Sequence, residues 1–148
     1  MIRKAVPDDI NWITRCQVAM ADETEGLRLE TAVVRKGVTT VLLDSSHGFY
    51  LIYEEKGQPA GCLMVTKEWS DWRAQSVWWI QSLYVLPGWR QKGIFSSMFA
   101  YLKEQVLQSD DIAGIRLYVD RLNSVAQKVY ETVGMNGAHY RLYEWMKQ

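Results

Sequence analysis

The chain has 148 residues, enough for one domain with a sizeable core, and its hydrophobic (48%) and charged (23%) fractions are those of an ordinary globular protein. Its 17 basic and 17 acidic residues cancel, which excludes the broad electrostatic surface that nucleic-acid or anionic-membrane binding requires. Cys16 and Cys62 lie far apart with no histidine or cysteine companion at ligand spacing, so neither a metal site nor a disulfide scaffold is expected, and a cytoplasmic setting fits. The opening "MIRKAVPDD" has no apolar h-region and no run reaches the length of a membrane span, so neither a signal peptide nor a membrane anchor is expected.

A short first strand is expected at 2–5. Pro7 with Asp8 and Asp9 signals a helix start. Ile10, Ile13, Cys16 or Gln17, and Met20 follow at helical spacing, and "DETEG" at 22–26 ends that helix in a loop. A second helix is expected over roughly 29–43, weakened by Gly37 and two threonines. The period then changes. "GFYLIYEE" at 48–55 reads as a strand, "KGQ" as a turn, and "AGCLMVTK" at 60–67 as the partner strand of a hairpin. "SVWWIQSLYVL" at 76–86 is apolar on both faces, the mark of a central strand. A helix follows from about 93 to 107, then a short buried strand, "GIRLYV", at 114–119. "NSVAQKVYETVG" at 123–134 is a helix with Asn123 as its N-cap and Gly134 at its end, and "AHYRLYEWM" at 138–146 closes the chain as a strand. The order β-α-α-β-β-β-α-β-α-β implies an α/β fold over 1–148, one domain with a mixed central sheet of about six strands and about four helices on both faces.

The stretch "YVLPGWRQKGIFSSM" at 84–98 places Arg90, Gln91, Lys92 and Gly93 where a strand feeds a helix. If Gly93 opens that helix, the first-turn N–H groups point outward without intrahelical partners. The loop before it adds N–H groups as an anion nest, and helix dipole and basic side chains favour a phosphate. The simpler reading makes Arg90 and Lys92 solvated turn charges.

This stretch resembles the acetyl-CoA motif of the GNAT superfamily of N-acetyltransferases, a long strand followed by Gln/Arg-x-x-Gly-x-Gly/Ala and a helix. "RQKGIF" at 90–95 matches the arginine and first glycine, and departs where Phe95 replaces a small residue. The ring of Phe95 is expected to turn into the core, towards Met98, Phe99 and Leu102. A second resemblance lies in "NSVAQKVYETVGM". Asn123, Ala126, Tyr130 and Gly134 follow the superfamily pattern Asn-x-x-Ala-x-x-x-Tyr-x-x-x-Gly-Phe, with Met135 in the last position. Their spacing puts them along one helical face.

The resemblance implies a mostly antiparallel sheet splayed at a β-bulge in the long strand, with the pantetheine arm of acetyl-CoA in the gap. It assigns main-chain contacts to Leu83, Tyr84 and Val85. The pyrophosphate falls to the N–H groups of Gln91, Lys92, Gly93, Ile94, Phe95 and Ser96, with help from Arg90. Asn123 is given a contact to the pantetheine arm, and Tyr130 a place near the sulfur. The chemistry is direct attack of a neutral amine on the thioester through a tetrahedral intermediate whose oxyanion a backbone N–H stabilises. The leaving thiolate has a pKa of about 8.5 and tyrosine one of about 10, so Tyr130 is the candidate general acid. As a lone helical tyrosine it would read as packing.

The long strand carries no acid, which argues against a polyamine held by acids at Gln81 and Ser82. Glu23, Glu25, Glu68 and Asp71 are the available carboxylates, and Glu25 or Asp71 is the candidate for amine recognition or the base. Trp69, Trp72, Trp78 and Trp79 lie close together in sequence. Trp78 and Trp79 must face opposite sides of the sheet. Trp69 and Trp72, read as loop residues, could cap the core, bury a dimer contact or wall an acceptor pocket for a cation. The expected function is transfer of an acetyl group from acetyl-CoA, with no metal, to a primary amine of a small molecule. The alternatives are a peptide or protein amine acetyltransferase, or a non-catalytic CoA-binding sensor. No nucleic-acid or membrane partner is expected, and an exposed final strand with the tryptophans is compatible with a homodimer.

Overall fold

Five strands form one sheet in the order β1-β2-β3-β4-β5: Ile2–Lys4, Phe49–Glu55, Gln58–Ser70, Gln75–Val85 and Ile112–Leu117. The computed structural model describes residues 1–148, which divide into two compact units, Met1–Arg116 and Leu117–Gln148. The first three pairings are antiparallel. β4 and β5 are joined through a helix, the crossover that parallel neighbours need, so the sheet is mixed.

Helices cover both faces. α1 (Ile10–Glu25) buries Ile13, Cys16 and Ala21, and α2 (Thr31–Leu43) buries Val38 and Val41. Ile13, Cys16, Val38 and Val41 share a core with Tyr50 and Ile52 of β2, Cys62 of β3 and Tyr84 of β4. Strand alternation sends Leu51 and Leu63, both fully buried, to the opposite face. There α3 (Ile94–Leu107) supplies Ile94, Phe95, Met98, Phe99 and Leu102 at helical spacing. Gly61 lies under the side chains of Ile94 and Val85. Cys16 and Cys62 are free and buried. No helix is long and apolar enough to cross a membrane.

Several boundaries differ from the sequence expectation: β5 runs over Ile112–Leu117 rather than 114–119, leaving Tyr118 and Val119 exposed beyond it. α1 continues to Glu25 and stops at Gly26, which is left-handed with φ of 61°, so Glu23 and Glu25 stand on its last turn rather than in a loop. β3 continues to Ser70 and pairs with the start of β4 in a tight hairpin, Ser70 opposite Gln75. Glu68 and Trp69 are therefore strand residues, because ladder hydrogen bonds carry the pairing beyond the apolar run. The sheet has five strands, not about six: residues 138–146 form no strand. The alternating pattern there is strand-like, but a strand exists only where a ladder partner accepts its hydrogen bonds.

In the second unit α4 (Ser124–Thr132) starts at Asn123, whose Oδ1 accepts the N–H of Ala126 at 3.0 Å. It ends at Gly134, left-handed with φ of 93°, beyond which the Met135 N–H donates to the Tyr130 carbonyl at 3.0 Å. The segment after it leaves Tyr143 and Trp145 exposed and sets the His139 and Tyr140 rings edge to face at 4.5 Å.

One glycine of the sheet is fixed by close approach. Gly48, at the entry to β2, has φ of 133°, and a Cβ there would sit 2.1 Å from the Val65 carbonyl oxygen. Backbone against backbone has no cheap relief. Gly48→Ala is expected to lower stability by about 3 kcal/mol or more, measured as a lowered urea midpoint at constant slope. A midpoint within error of the parent would contradict the close approach.

Candidate functional site

The site is organised by an irregularity in β4. Leu63 of β3 pairs with Leu83, yet Val65 pairs with Ile80. Two residues of β4, Gln81 and Ser82, thus stand where β3 has only Met64, which is a β-bulge. Before it Trp78 faces Phe49, with ring centroids 5.3 Å apart. After it Ser82 and Tyr84 face α1 and α2, where each lines a hollow. Leu83, Tyr84 and Val85 pair with Leu63, Cys62 and Gly61 on the β3 side. On the other side β5 joins at the start of β4, where the Ser76 N–H donates to the Asp111 carbonyl at 2.9 Å. With six residues against eleven, β5 cannot pair β4 along its whole length.

Beyond Val85 the chain makes one short turn, Pro87–Trp89, and then the loop 90–93. Gln91 and Gly93 are both left-handed, with φ of 61° and 74°. A left-handed glutamine is uncommon and costs conformational energy, so the loop is held in a specific shape. α3 then begins at Ile94 with Gly93 as its N-cap and no side-chain cap. Its first-turn N–H groups, those of Ile94 and Ser96 among them, have no acceptor within the helix. Left-handed residues leading into an uncapped helix start give converging N–H donors at the positive end of a helix dipole. This donor set fits a pyrophosphate. Phe95 does not obstruct it, since its ring is buried with its centroid 5.9 Å from that of Phe99.

The basic residues of the loop are not simply solvated. Arg90 Nε donates to the Val85 carbonyl at 2.9 Å, and Nη2 donates to Glu23 Oε2 at 2.6 Å. The Tyr84 hydroxyl donates to Glu23 Oε1 at 2.9 Å, and the Arg90 guanidinium lies 5.4 Å from the Tyr84 ring centroid. Lys92 Nζ lies 4.7 Å from the Trp89 ring centroid. The last turn of α1, the end of β4 and the loop before α3 therefore meet at one carboxylate. Arg90, and then Tyr84, hold the Glu23 carboxyl below the usual range. Burial first, then the hydrogen bond to Glu23, pushes the Tyr84 phenol up.

The other expected site residues fall in several places. Glu25 is exposed on the same turn of α1 as Glu23. Asp71 lies in the turn between β3 and β4. Eight strand positions separate Gln75 from Leu83, about 27 Å at the usual rise, so β4 carries Asp71 and Leu83 to opposite ends. Trp69 and Trp72, 66% and 92% exposed, share the Asp71 end. Glu68 is paired with Arg116 at 2.7 Å. Asn123 and Tyr130 belong to the second unit, where Asn123 caps α4 and burial alone raises the Tyr130 phenol. Sequence reasoning named Glu23 but gave it no role. A carboxylate on the last turn of a helix opposes the helix dipole, and that mismatch was the available sign that it has a cationic partner.

The acetyltransferase (GNAT) family model matches residues 11–135, so the chain belongs to that family. A structure described as a possible acetyltransferase from Clostridium difficile 630 is 39% identical, with a TM-score of 0.93 over 100% of this chain and 97% of the other. The fold is shared with ribosomal-protein-alanine N-acetyltransferase from Brucella melitensis biovar Abortus 2308, at 15% identity and TM-score 0.78 over 99% and 98% of the two chains. It is shared too with the aminoglycoside N-acetyltransferase AAC(6')-Iy in complex with CoA, at 14% identity and TM-score 0.79 over 100% and 94%. Comparison with curated proteins gives no match.

The Glu23 contacts set an order that titration can check. Above its lowered pKa Glu23 is ionised and holds Arg90. As pH falls through that pKa the carboxyl is protonated and the ion pair is lost. Carboxyl-detected NMR should find the Glu23 midpoint below the ordinary value. Arg90→Ala should move it up, and Tyr84→Phe should move it up by less. A midpoint unmoved by Arg90→Ala would mean that the pair does not form.

Proposed function

We propose that residues 1–148 work as one acetyltransferase domain that moves the acetyl group of acetyl-CoA to the primary amine of a small molecule. Family membership supports the reaction class, and matched coverage of the 39% identical structure supports a single working unit. The observation that carries the reading is the bulged end of β4 running directly into a left-handed loop and an uncapped helix start.

On this reading the backbone of Leu83, Tyr84 and Val85 takes the pantetheine arm along the part of β4 that β5 does not reach. The N–H groups from Gln91 to the first turn of α3, through Gly93, Ile94, Phe95 and Ser96, take the pyrophosphate, and Lys92 adds charge beside them. Arg90 uses two of its five donors on Val85 and Glu23, which leaves three for phosphate oxygens. Asn123 contacts the pantetheine arm through its amide group, its Oδ1 being used as a cap. A backbone N–H of bulged β4 stabilises the oxyanion formed when the amine attacks the thioester carbonyl. Tyr130 gives its proton to the departing thiolate, and burial keeps that phenol protonated at neutral pH. For amine recognition the geometry favours Glu25, beside the Glu23 contacts, over Asp71 at the far end of β4.

Acetyl-CoA should raise the melting temperature at micromolar concentrations, and thiol release should appear with some member of a panel of small amines. Binding without turnover on small amines and peptides would instead identify a CoA sensor. Tyr130→Phe should lower kcat by about 10²-fold or more with little change in the KM for acetyl-CoA. The wild-type rate is supported below the raised pKa of Tyr130 and lost as pH rises through it, so this alkaline limb should vanish in the variant. An unchanged rate and pH profile would remove Tyr130 from the reaction.

A further inference from the structure

The guanidinium of Arg90 is anchored at two points of different origin. Nε donates to the Val85 carbonyl at 2.9 Å, a contact local to the turn between β4 and the loop. Nη2 donates to Glu23 Oε2 at 2.6 Å, across 67 positions of sequence and from another element, the last turn of α1. The carbon of the guanidinium also lies over the Tyr84 ring, 5.4 Å from its centroid. Three N–H groups of the fork remain, and the two bonds already made set their direction.

Glu23 is itself held from a second side. The Tyr84 hydroxyl donates to its Oε1 at 2.9 Å, so one carboxylate oxygen is used on β4 and the other on the loop. The last turn of α1 carries Asp22, Glu23 and Glu25 and no basic residue, although the helix dipole there favours a cation. Two hydrogen bonds close that turn: the Gly26 N–H donates to the Asp22 carbonyl at 3.0 Å, and the Leu27 N–H to the Ala21 carbonyl at 3.1 Å. The turn that carries Glu25 is therefore tied through Glu23 to the first residue of the loop proposed to hold the pyrophosphate.

An arginine side chain has much rotamer freedom to lose when it meets an anion, and one already held in a fork loses less. Resting on the acetyltransferase reading, we infer that Glu23 is a positioning residue for the cosubstrate. It presents Arg90 to the pyrophosphate, and through the same contact acetyl-CoA firms the turn of α1 that carries Glu25. Linkage joins the two effects, since a contact that helps an anion bind is strengthened by that anion by the same factor. The Glu23 charge also repels an anion. That repulsion is small, because the side chain is 39% exposed and its charge is screened. The two effects have opposite signs when the charge is removed: repulsion alone predicts tighter anion binding, and positioning predicts weaker.

The probes are ADP, which carries a pyrophosphate and no pantetheine, acetyl-CoA, and S-acetylpantetheine, which carries the thioester and no pyrophosphate. Glu23→Gln keeps the shape and removes the charge, and should melt within about 4 °C of the parent. It should raise the calorimetric Kd of ADP and the KM for acetyl-CoA by about three- to fivefold, the effect falling on KM rather than kcat. With an amine that the parent acetylates, kcat/KM for S-acetylpantetheine should not move, a result that a damaged fold would not give. Tyr84→Phe leaves Arg90 on Glu23 and should raise the Kd of ADP by less. In an Arg90→Ala background Glu23→Gln should cause no further loss. Saturating ADP should slow hydrogen exchange at the Gly26 and Leu27 amides of the parent by about the same factor, and should leave it unchanged in Glu23→Gln.

An ADP Kd that Glu23→Gln leaves unchanged or lowers, equal losses in the two backgrounds, or exchange at Gly26 and Leu27 indifferent to ADP would each overturn the inference. Thiol release from acetyl-CoA beside any of those results would leave the acetyltransferase reading standing. Glu23-dependent ADP binding with no thiol release on any amine or peptide would overturn that reading and keep the role of Glu23 in binding. A parent that binds neither ADP nor acetyl-CoA would overturn both.

Discussion

Between Ile80 and Leu83 the strand β4 has one residue more than β3 can match, and most of the local architecture depends on that surplus. Side chains alternate along a strand, so an inserted residue exchanges the faces for everything that follows. Gln81 and Ser82 both lie towards the α1–α2 side: Gln81 Nε2 donates to Thr66 Oγ1 at 2.9 Å, and Ser82 lines a hollow beside Met64. In a regular strand Tyr84 would face α3 and could not reach Glu23. With the bulge it packs with Cys16 and Cys62 and sends its hydroxyl to the end of α1. Val85 takes the other face and meets Ile94 over Gly61. The same insertion thus tethers a helix on each side of the sheet to the end of β4.

The Glu23 carboxylate does the complementary work outside the sheet. It stands on the last turn of α1, where the helix dipole disfavours negative charge, and it is offset by Arg90 and Tyr84. The contact is partly exposed, with side chains 44% and 39% accessible, so screening by water keeps its energetic worth small. Its value is positional. Arg90 reaches back to the Val85 carbonyl as it holds Glu23, which fixes the first residue of the loop against the strand it has just left. A loop with two left-handed residues has conformational energy to store, and a fork-shaped guanidinium bonded at two points keeps it in one shape.

How much of this was legible in the sequence follows from which interactions are local. The helices were readable because their apolar spacing and terminal glycines are local signals. Gly93 and Gly134 fell where the motifs placed them, and Asn123 caps α4 as its side chain suggests. The bulge followed from family resemblance, because no residue type announces an inserted position. The end of β3 was misplaced because Glu68 and Ser70 lack an apolar signal, and their pairing depends on β4 across the hairpin. The final strand was misread for the opposite reason: "AHYRLYEWM" has strand-like composition, but pairing is a property of two segments. Glu23 was visible only as a weak anomaly: it is a poor choice for the last turn of a helix, and only the fold reveals the partners that account for it.

The placement of charge bears on how a chain with no net charge handles a charged cosubstrate. On the proposed reading the positive potential is confined to the loop 90–93 and the start of α3, where anionic oxygens would meet backbone N–H groups. The open hollow lined by Ser82 has no ionisable side chain apart from Tyr50. Carboxylates on the strand would attract polyamines and would also place negative charge beside a thioester that must develop an oxyanion. A strand free of acids avoids that repulsion, at the expense of the amine's general base. On the proposed reading the proton of the incoming ammonium leaves through the exposed end of α1, where Glu25 stands, or through water. On that reading the absence of strand acids makes amine deprotonation the step most dependent on solvent access.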